Sequence, residues 1–154
     1  MQHVLCTGNL TAPAQMEAVM ELAPNVHTVR GDCDEDETLP EETVVVIGSF
    51  RIGLCHGHQV SPAGSTQALA HLQRRMDVDV LVTGHTHQHS IVEYENKLFV
   101  NPGSVTGALS PSTEDVVPSF LLFAVKDKTI NVYIYQVVDG KRTVTQAEFT
   151  KPDA

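Results

Sequence analysis

The sequence predicts an α/β fold in which strands and helices alternate first and an antiparallel meander follows. Three observations carry this. Short apolar runs stop repeatedly at a small residue followed by a polar one, as at Gly8-Asn9, Gly31-Asp32 and Gly84-His85. Two stretches place apolar residues at helical spacing, and after residue 89 strand-like runs crowd together with very short connections. In an open α/β sheet, polar residues that follow strand ends collect at one edge.

The elements follow in order. Val4-Leu5-Cys6-Thr7 is a short apolar run stopped by Gly8-Asn9, so it predicts a buried strand that delivers Asn9 to a loop. Pro13 suits a first helical position, and Met16, Val19, Met20 and Ala23 then share one apolar face before Pro24-Asn25 ends the helix. Val26 to Arg30 makes a second strand leading into Gly31-Asp32-Cys33-Asp34. The acidic stretch from Asp32 to Glu42 contains Pro40 and has no periodicity, so it predicts a loop, with Asp34 to Glu37 a solvated charge run. Thr43 to Ile47 and Phe50 to Cys55 pair as a hairpin across Gly48-Ser49, and the second run ends in His56-Gly57-His58-Gln59. Gly64-Ser65 opens a helix with Ala68, Leu69, Leu72 and Met76 on one face and Arg74 and Arg75 near its end, where cations suit the helix dipole. Val78 to Val82 is the next strand, and it runs through Thr83-Gly84 to the paired imidazoles His85 and His87.

Beyond that point Ser90 to Glu95, Leu98 to Asn101, Phe120 to Val125, Thr129 to Val138 and Thr143 to Phe149 all read as strands. Asn96-Lys97, Lys126-Asp127-Lys128 and Asp139-Gly140 supply hairpin turns. The longest loop runs from Pro102 to Pro118, and Asn101-Pro102-Gly103-Ser104 is a turn. The whole chain, 1–154, fits a single domain with a sizeable core.

Composition excludes some functions. Ten basic against nineteen acidic residues give a net charge of −9, so no Lys/Arg cluster is present to displace counterions from a phosphate backbone, and no nucleic-acid partner is expected. The same acidity opposes direct binding to anionic lipid. The three cysteines, Cys6, Cys33 and Cys55, lack Cys-x-x-Cys spacing and predict reduced thiols in a cytoplasmic protein. No window approaches the ~18 continuous apolar residues of a membrane span, and no basic N-terminal region precedes a long apolar stretch.

Asn9, Asp32, His56, His85 and His87 form a mixed oxygen and nitrogen set placed after four strands. Such a set suits zinc, manganese or iron better than magnesium or calcium, which seldom take imidazole. His58 reads as a loop hydrogen-bonding residue, and His3, His27, His71 and His89 as structural or exposed.

These residues resemble the motifs of the calcineurin-like metallophosphoesterases: Gly8-Asn9, Gly31-Asp32-Cys33-Asp34, His56 and Gly84-His85-Thr86-His87 are similar to four of that family's blocks. The resemblance implies a β-sandwich flanked by helices and, in active members, two divalent ions roughly 3.5–4 Å apart that activate water and clamp a phosphoryl oxygen. Carried over residue by residue, one ion keeps only Asn9 and His87, and the other Asn9, Asp32, His56 and His85. One divalent ion, zinc or manganese, is therefore expected. Active members carry a histidine, the leaving group's general acid, where this chain has Cys33, and loss of a general acid lowers rates by roughly 10²–10⁴. Asn9 likewise stands where they have a metal-bridging aspartate. The resemblance also implies that the family's first central strand, with an Asp-x-His block, is missing before Met1. Several apolar partners left uncovered at about 1.5–3 kcal/mol each would rival the about 5–15 kcal/mol stability of a domain, so a marginal or partner-dependent chain is expected.

More closely, CTGNL, VRGDCDE, IGLCHGHQV, DVDVLVTGHTH, ENKLFVNPGS and VPSFLLF resemble the branch of this family that serves as a subunit of the retromer coat. That resemblance implies a non-catalytic scaffold that needs no metal for its role, cytoplasmic and indirectly attached to endosomal membranes. It implies that the metal-site edge with Val60 meets an α-solenoid partner and that an apolar patch with Leu122, Tyr133 and Tyr135 receives regulators. That branch carries large apolar residues around the proline after Val60, where this chain has Ser61-Pro62-Ala63, so a weaker grip is expected there. The competing expectation is a divalent-metal phosphodiesterase.

Overall fold

The computed structural model describes residues 1–111 and 113–153. Its strands are β1 (His3–Cys6), β2 (Asn25–Thr28), β3 (Glu42–Ile47), β4 (Phe50–Cys55), β5 (Val80–Val82), β6 (His89–Tyr94), β7 (Lys97–Pro102), β8 (Ser119–Lys126), β9 (Thr129–Val138) and β10 (Lys141–Thr150). The helices are α1 (Pro13–Met20) and α2 (Thr66–Met76). A mixed five-stranded sheet has the order β3-β4-β5-β7-β6, β10-β9-β8 form an antiparallel meander, and β1 and β2 pair in parallel. This is the anticipated order of βα units followed by meander.

Side-chain alternation explains the layers. Ile52 and Leu54 of β4, Val80 and Val82 of β5, and Leu98 and Val100 of β7 point to one face, where they meet Ile130, Val132 and Phe149 of the meander. The intervening residues Cys55, Leu81 and Phe99 point to the other face and meet Leu69, Ala70, Leu72 and Met76 of α2. Strands buried on both faces are the ones that read as continuous apolar runs. Gly53 lets α2 come close, since a Cβ there would lie 3.1 Å from Met76 and Val78 side-chain atoms. Ser65 caps α2 by accepting from the Ala68 N–H, and Asp77 ends it in a left-handed conformation.

Two local expectations are corrected. The apolar face expected for α1 is not buried: no residue of the helix is, and Met20 is 61% exposed. The short β1–β2 pair offers too little surface to cover it, and Ala23, just past the helix, is the residue that reaches the interior. The turn expected at Asn96-Lys97 falls one residue earlier. Glu95 and Asn96 both have positive φ, the signature of a two-residue hairpin turn, and Lys97 already pairs with Tyr94. The turn at Asp139-Gly140 takes the same form as expected.

Asp79, 5% exposed, ties the layers together. Its carboxylate accepts from the Arg51 N–H at 3.0 Å, from Lys97 Nζ at 3.0 Å and from Lys151 Nζ at 2.8 Å, joining β4, β7 and the segment after β10. Burial opposes ionisation, but the Arg51 N–H and the two ammonium groups outweigh it and hold Asp79 below its ordinary 3.8. A carboxyl lowered on folding stabilises above its unfolded value, and the contribution disappears as pH falls through the folded value. Asp79→Asn is therefore expected to lose about 1.5–3 kcal/mol at neutral pH by urea unfolding. The gap from the parent should narrow below pH 3.8; a gap that stays constant into acid would show that the charge is not what matters.

Candidate metal centre

The centre lies where four strand ends meet. After β1 the chain turns through Gly8 (φ +101°) and Asn9 (φ +61°), directly against the segment after β2. A Cβ on Gly8 would lie 2.6 Å from the Gly31 nitrogen and 2.7 Å from the Val29 oxygen, so the two backbones touch only because residue 8 is glycine. One oxygen of Asp34 binds both: Oδ2 accepts from the Asn9 N–H at 2.7 Å and the Gly31 N–H at 2.8 Å. Asp34 thus leaves the solvated run in which the sequence placed it and becomes a clamp.

The third strand end brings His56, 3% exposed, out of β4. Its Nδ1 lies 2.6 Å from the Thr7 carbonyl, so Nδ1 carries the proton and Nε2 presents a lone pair. That Nε2 lies 3.2 Å from Asp32 Oδ1. From the loop after β5, Gly84 donates to the His56 carbonyl at 2.7 Å, and His85 (φ +70°) then sets its Nδ1 3.9 Å from Asp32 Oδ2. Beneath this loop Asn101, buried on β7, donates from Nδ2 to the Gly84 carbonyl and the Thr86 hydroxyl, at 2.9 and 3.0 Å. Asn101 thus ties this segment to the site, with Asn101 and Pro102 inside the strand rather than in the expected turn.

Asp32, His56 and His85 bring one donor atom each to within 4.8 Å of one another. Neighbouring donors around a tetrahedral zinc lie about 3.3–3.6 Å apart at metal–ligand bonds of about 2.0–2.2 Å, against 3.2 Å from Asp32 Oδ1 to His56 Nε2 and 3.9 Å from Asp32 Oδ2 to His85 Nδ1. Ionisation states also suit a cation. The Asn9 amide, with lesser help from His56 and His85, holds Asp32 below its usual range. Burial pushes His56 down against the opposing pull of Thr7 and Asp32, so the imidazole is neutral at pH 7. A bound divalent ion would act there as a Lewis acid.

The other expected site residues fall around this trio. Asn9 touches it through its amide nitrogen, 2.9 Å from Asp32 Oδ1 and 3.4 Å from His56 Nε2. His87 is outside the three-residue cluster, its Nδ1 2.7 Å from the Ala108 carbonyl. Among the described residues His58 Nδ1 is buried without a hydrogen-bond partner, while its Nε2 lies 4.0 Å from Glu41 Oε2 and its ring packs on His56 and His85. Cys33 is exposed, while burial raises the thiols of Cys6 and Cys55; all three are free. Val60 is half-buried beside a groove of about 580 Å³ that runs between its loop and α2.

A second surface lies on the outer face of the meander. Leu122 pairs with Tyr133, and Phe120 with Tyr135, whose rings stack at 4.8 Å; Val144 follows in the same row. Phe120 is 48% and Val144 52% exposed. The sequence reading found Leu122, Tyr133 and Tyr135 and missed Phe120 and Val144. The alternation of Phe120, Leu122 and Ala124 against Leu121, Phe123 and Val125 was the available signal.

Residues 1–128 match the calcineurin-like phosphoesterase superfamily domain. Over 99% of its length the chain is 36% identical to vacuolar protein sorting-associated protein 29 of Schizosaccharomyces pombe, covering 84% of that protein. The chain belongs to this family. Among solved structures it is similar to wild-type Vps29 of Entamoeba histolytica complexed with Zn²⁺, at 47% identity and a TM-score of 0.94, with 97% of this chain and 83% of that one covered. It is also similar to Vps29 of Chaetomium thermophilum complexed with a cyclic peptide, at 35% identity and a TM-score of 0.86, with 99% and 82% covered. The α/β phosphoesterase-like architecture and the closing three-stranded meander are those of the Vps29 family.

Asp34 offers a test of this geometry. Asp34→Ala removes the shared acceptor of two backbone N–H groups and is expected to lower stability by about 1.5–3 kcal/mol in thermal or urea unfolding. It should also weaken zinc binding in calorimetry, although Asp34 is not a ligand. Unchanged zinc affinity would mean that the loops hold their places without the clamp.

Proposed function

We propose that this single-domain chain is a non-catalytic scaffold subunit of the retromer coat in endosomal protein recycling. The observation that carries the reading is the row of exposed Phe120, Leu122 and Val144 with half-buried Tyr133 and Tyr135 on a phosphoesterase fold. Apolar and aromatic side chains held rigidly on a sheet are effective anchors for a partner. That a Chaetomium Vps29 takes a cyclic peptide supports a peptide-binding role for the family. The metal-site edge, with Val60 and the loop carrying His85 and His87, docks the α-solenoid retromer subunit, and the meander face recruits regulators. Attachment to endosomal membranes is indirect: among the described residues no helix is long and apolar enough to cross a bilayer, and the net charge of −9 disfavours anionic lipid.

The trio of Asp32, His56 and His85 holds one divalent ion, zinc or manganese, with Asn9 and His87 at its margin. A Zn²⁺ complex of the Entamoeba relative supports the choice of metal. The thiol of Cys33 has no cationic form and is a poor substitute for an imidazolium general acid, which disfavours hydrolysis. The competing reading, a phosphodiesterase acting on a small phosphodiester, draws on the ionised Asp32 and neutral His56 that a hydrolytic ion would need.

Two measurements separate them. A pull-down with the α-solenoid subunit should succeed and weaken with Val60→Asp, while Tyr135→Ser spares it and weakens capture of regulators. With manganese and an aryl phosphodiester, turnover should stay far below about 1 s⁻¹. Turnover at that level, abolished by His56→Ala, would establish the enzyme instead.

A further inference from the structure

His3 and His27 lie on the strands that lead into the centre, and the structure joins two residues that the sequence left separate. In the parallel register Leu5 stands beside His27 and His3 beside Asn25, so both imidazoles project from the same face of the β1–β2 pair. His3 Nδ1 lies 3.3 Å from His27 Nε2. The ring centroids are 5.6 Å apart and the ring planes within 16° of each other. The centroid separation exceeds the nitrogen separation by the two centroid-to-nitrogen distances taken together, so centroids and nitrogens fall nearly on one line. The rings therefore meet edge to edge, nitrogen toward nitrogen, and not face over face.

Imidazoles that face each other in this way share one hydrogen, with one nitrogen donating and the other accepting. Burial, and then the neighbouring His3, pushes His27 below its ordinary value, so its ring is neutral at pH 7 and able to act as a ligand. A metal that gathers four donors tetrahedrally is poorly served here, because its nitrogens must converge on a point off the line that joins them. Among the described residues, three donors from His, Cys, Asp or Glu come together only at Asp32, His56 and His85. Cys6 projects from the opposite face of β1 to His3 and cannot complete the pair. Two in-line nitrogens suit a cation that takes two ligands in line.

We propose that His3 and His27 form a second cation site, separate from the centre at the strand ends, which takes a soft monovalent ion of the copper(I) type between His3 Nδ1 and His27 Nε2. Imidazole is a good ligand for copper. The ion takes the place of the shared hydrogen, which moves to the other nitrogen of its own ring, so no net proton is lost and the charge of the site rises by one. Metal–nitrogen bonds of about 2 Å would set the nitrogens about 4 Å apart, about 0.7 Å beyond their present separation. The broad χ2 torsion of histidine supplies that movement while the strands stay paired. Bound there, the ion fastens β1 to β2, the two-stranded pair that delivers Asn9 and Asp32 to the centre.

Nitrogen-15 NMR of the histidine rings in the intact protein reads the site directly. Copper(I), added without oxygen as its acetonitrile complex, should shift His3 Nδ1 and His27 Nε2 together, saturate at one ion per pair, and leave the exposed His71 unmoved. His27→Phe keeps a ring in place and should weaken this binding by roughly 100-fold or more, beyond the 10–100-fold typical of losing a group outside the ligand set. The ring shifts need no variant, so they decide the matter even if His27→Phe fails to fold. Cys33→Ser removes the exposed thiol that would compete for copper, and binding to the pair should survive it. Zinc should leave the His3 and His27 signals in place whether or not it loads the centre. Copper held by cysteines with both rings unshifted would overturn the proposal, as would a shift confined to one ring. Zinc that moves the two rings as copper does would also overturn it, because the pair would then not select an ion with two in-line ligands.

Discussion

One carboxylate oxygen of Asp34 holds the segments after β1 and β2 together, and the rest of the centre is registered on that junction. With Asn9 and Gly31 fixed, the Thr7 carbonyl is in place to accept the hydrogen bond of His56 Nδ1–H, which settles that Nε2 faces Asp32. The His56 carbonyl in turn receives the Gly84 N–H and positions the loop that carries His85. Side chains separated by more than seventy positions thus converge through short backbone contacts between neighbouring strand ends. Glycines 8, 31 and 84 matter because a Cβ at any of them would strike the adjacent segment.

Much of the fold was legible because the central strands β4, β5 and β7 of the five-stranded sheet are buried on both faces. Residues 52–55, 80–82 and 98–100 carry no polar side chain, and only a covered strand tolerates that. Helix α2 announced itself by Ser65 and by its apolar stripe. Helix α1 shows the same kind of stripe, yet periodicity states which side chains share a face and not whether a surface exists to receive them.

The candidate centre was legible in its residues and less so in its roles. Gly-Asn, Gly-Asp, His and Gly-His-x-His blocks mark strand ends, and the geometry gathers Asp32, His56 and His85. His87 stands outside that trio, and its Nδ1 meets the Ala108 carbonyl, a contact from a distant loop that no spacing encodes. Asp34 was hidden inside an acidic run, where a clamp and a solvated carboxylate look alike. The direction of the Asn9 amide depends on the backbone N–H of Cys33, which only the folded path reveals.

The protein joins two surfaces with different physics: a polar cluster able to hold a cation and an apolar row suited to a protein partner. Residues from distant parts of the chain meet at the strand ends, in the arrangement proposed to hold one cation. The most direct test is a crystal of the protein grown with zinc and measured across the zinc absorption edge. An anomalous peak bounded by Asp32, His56 Nε2 and His85 Nδ1 is predicted; zinc on other side chains, with these three donors uncoordinated, would contradict it.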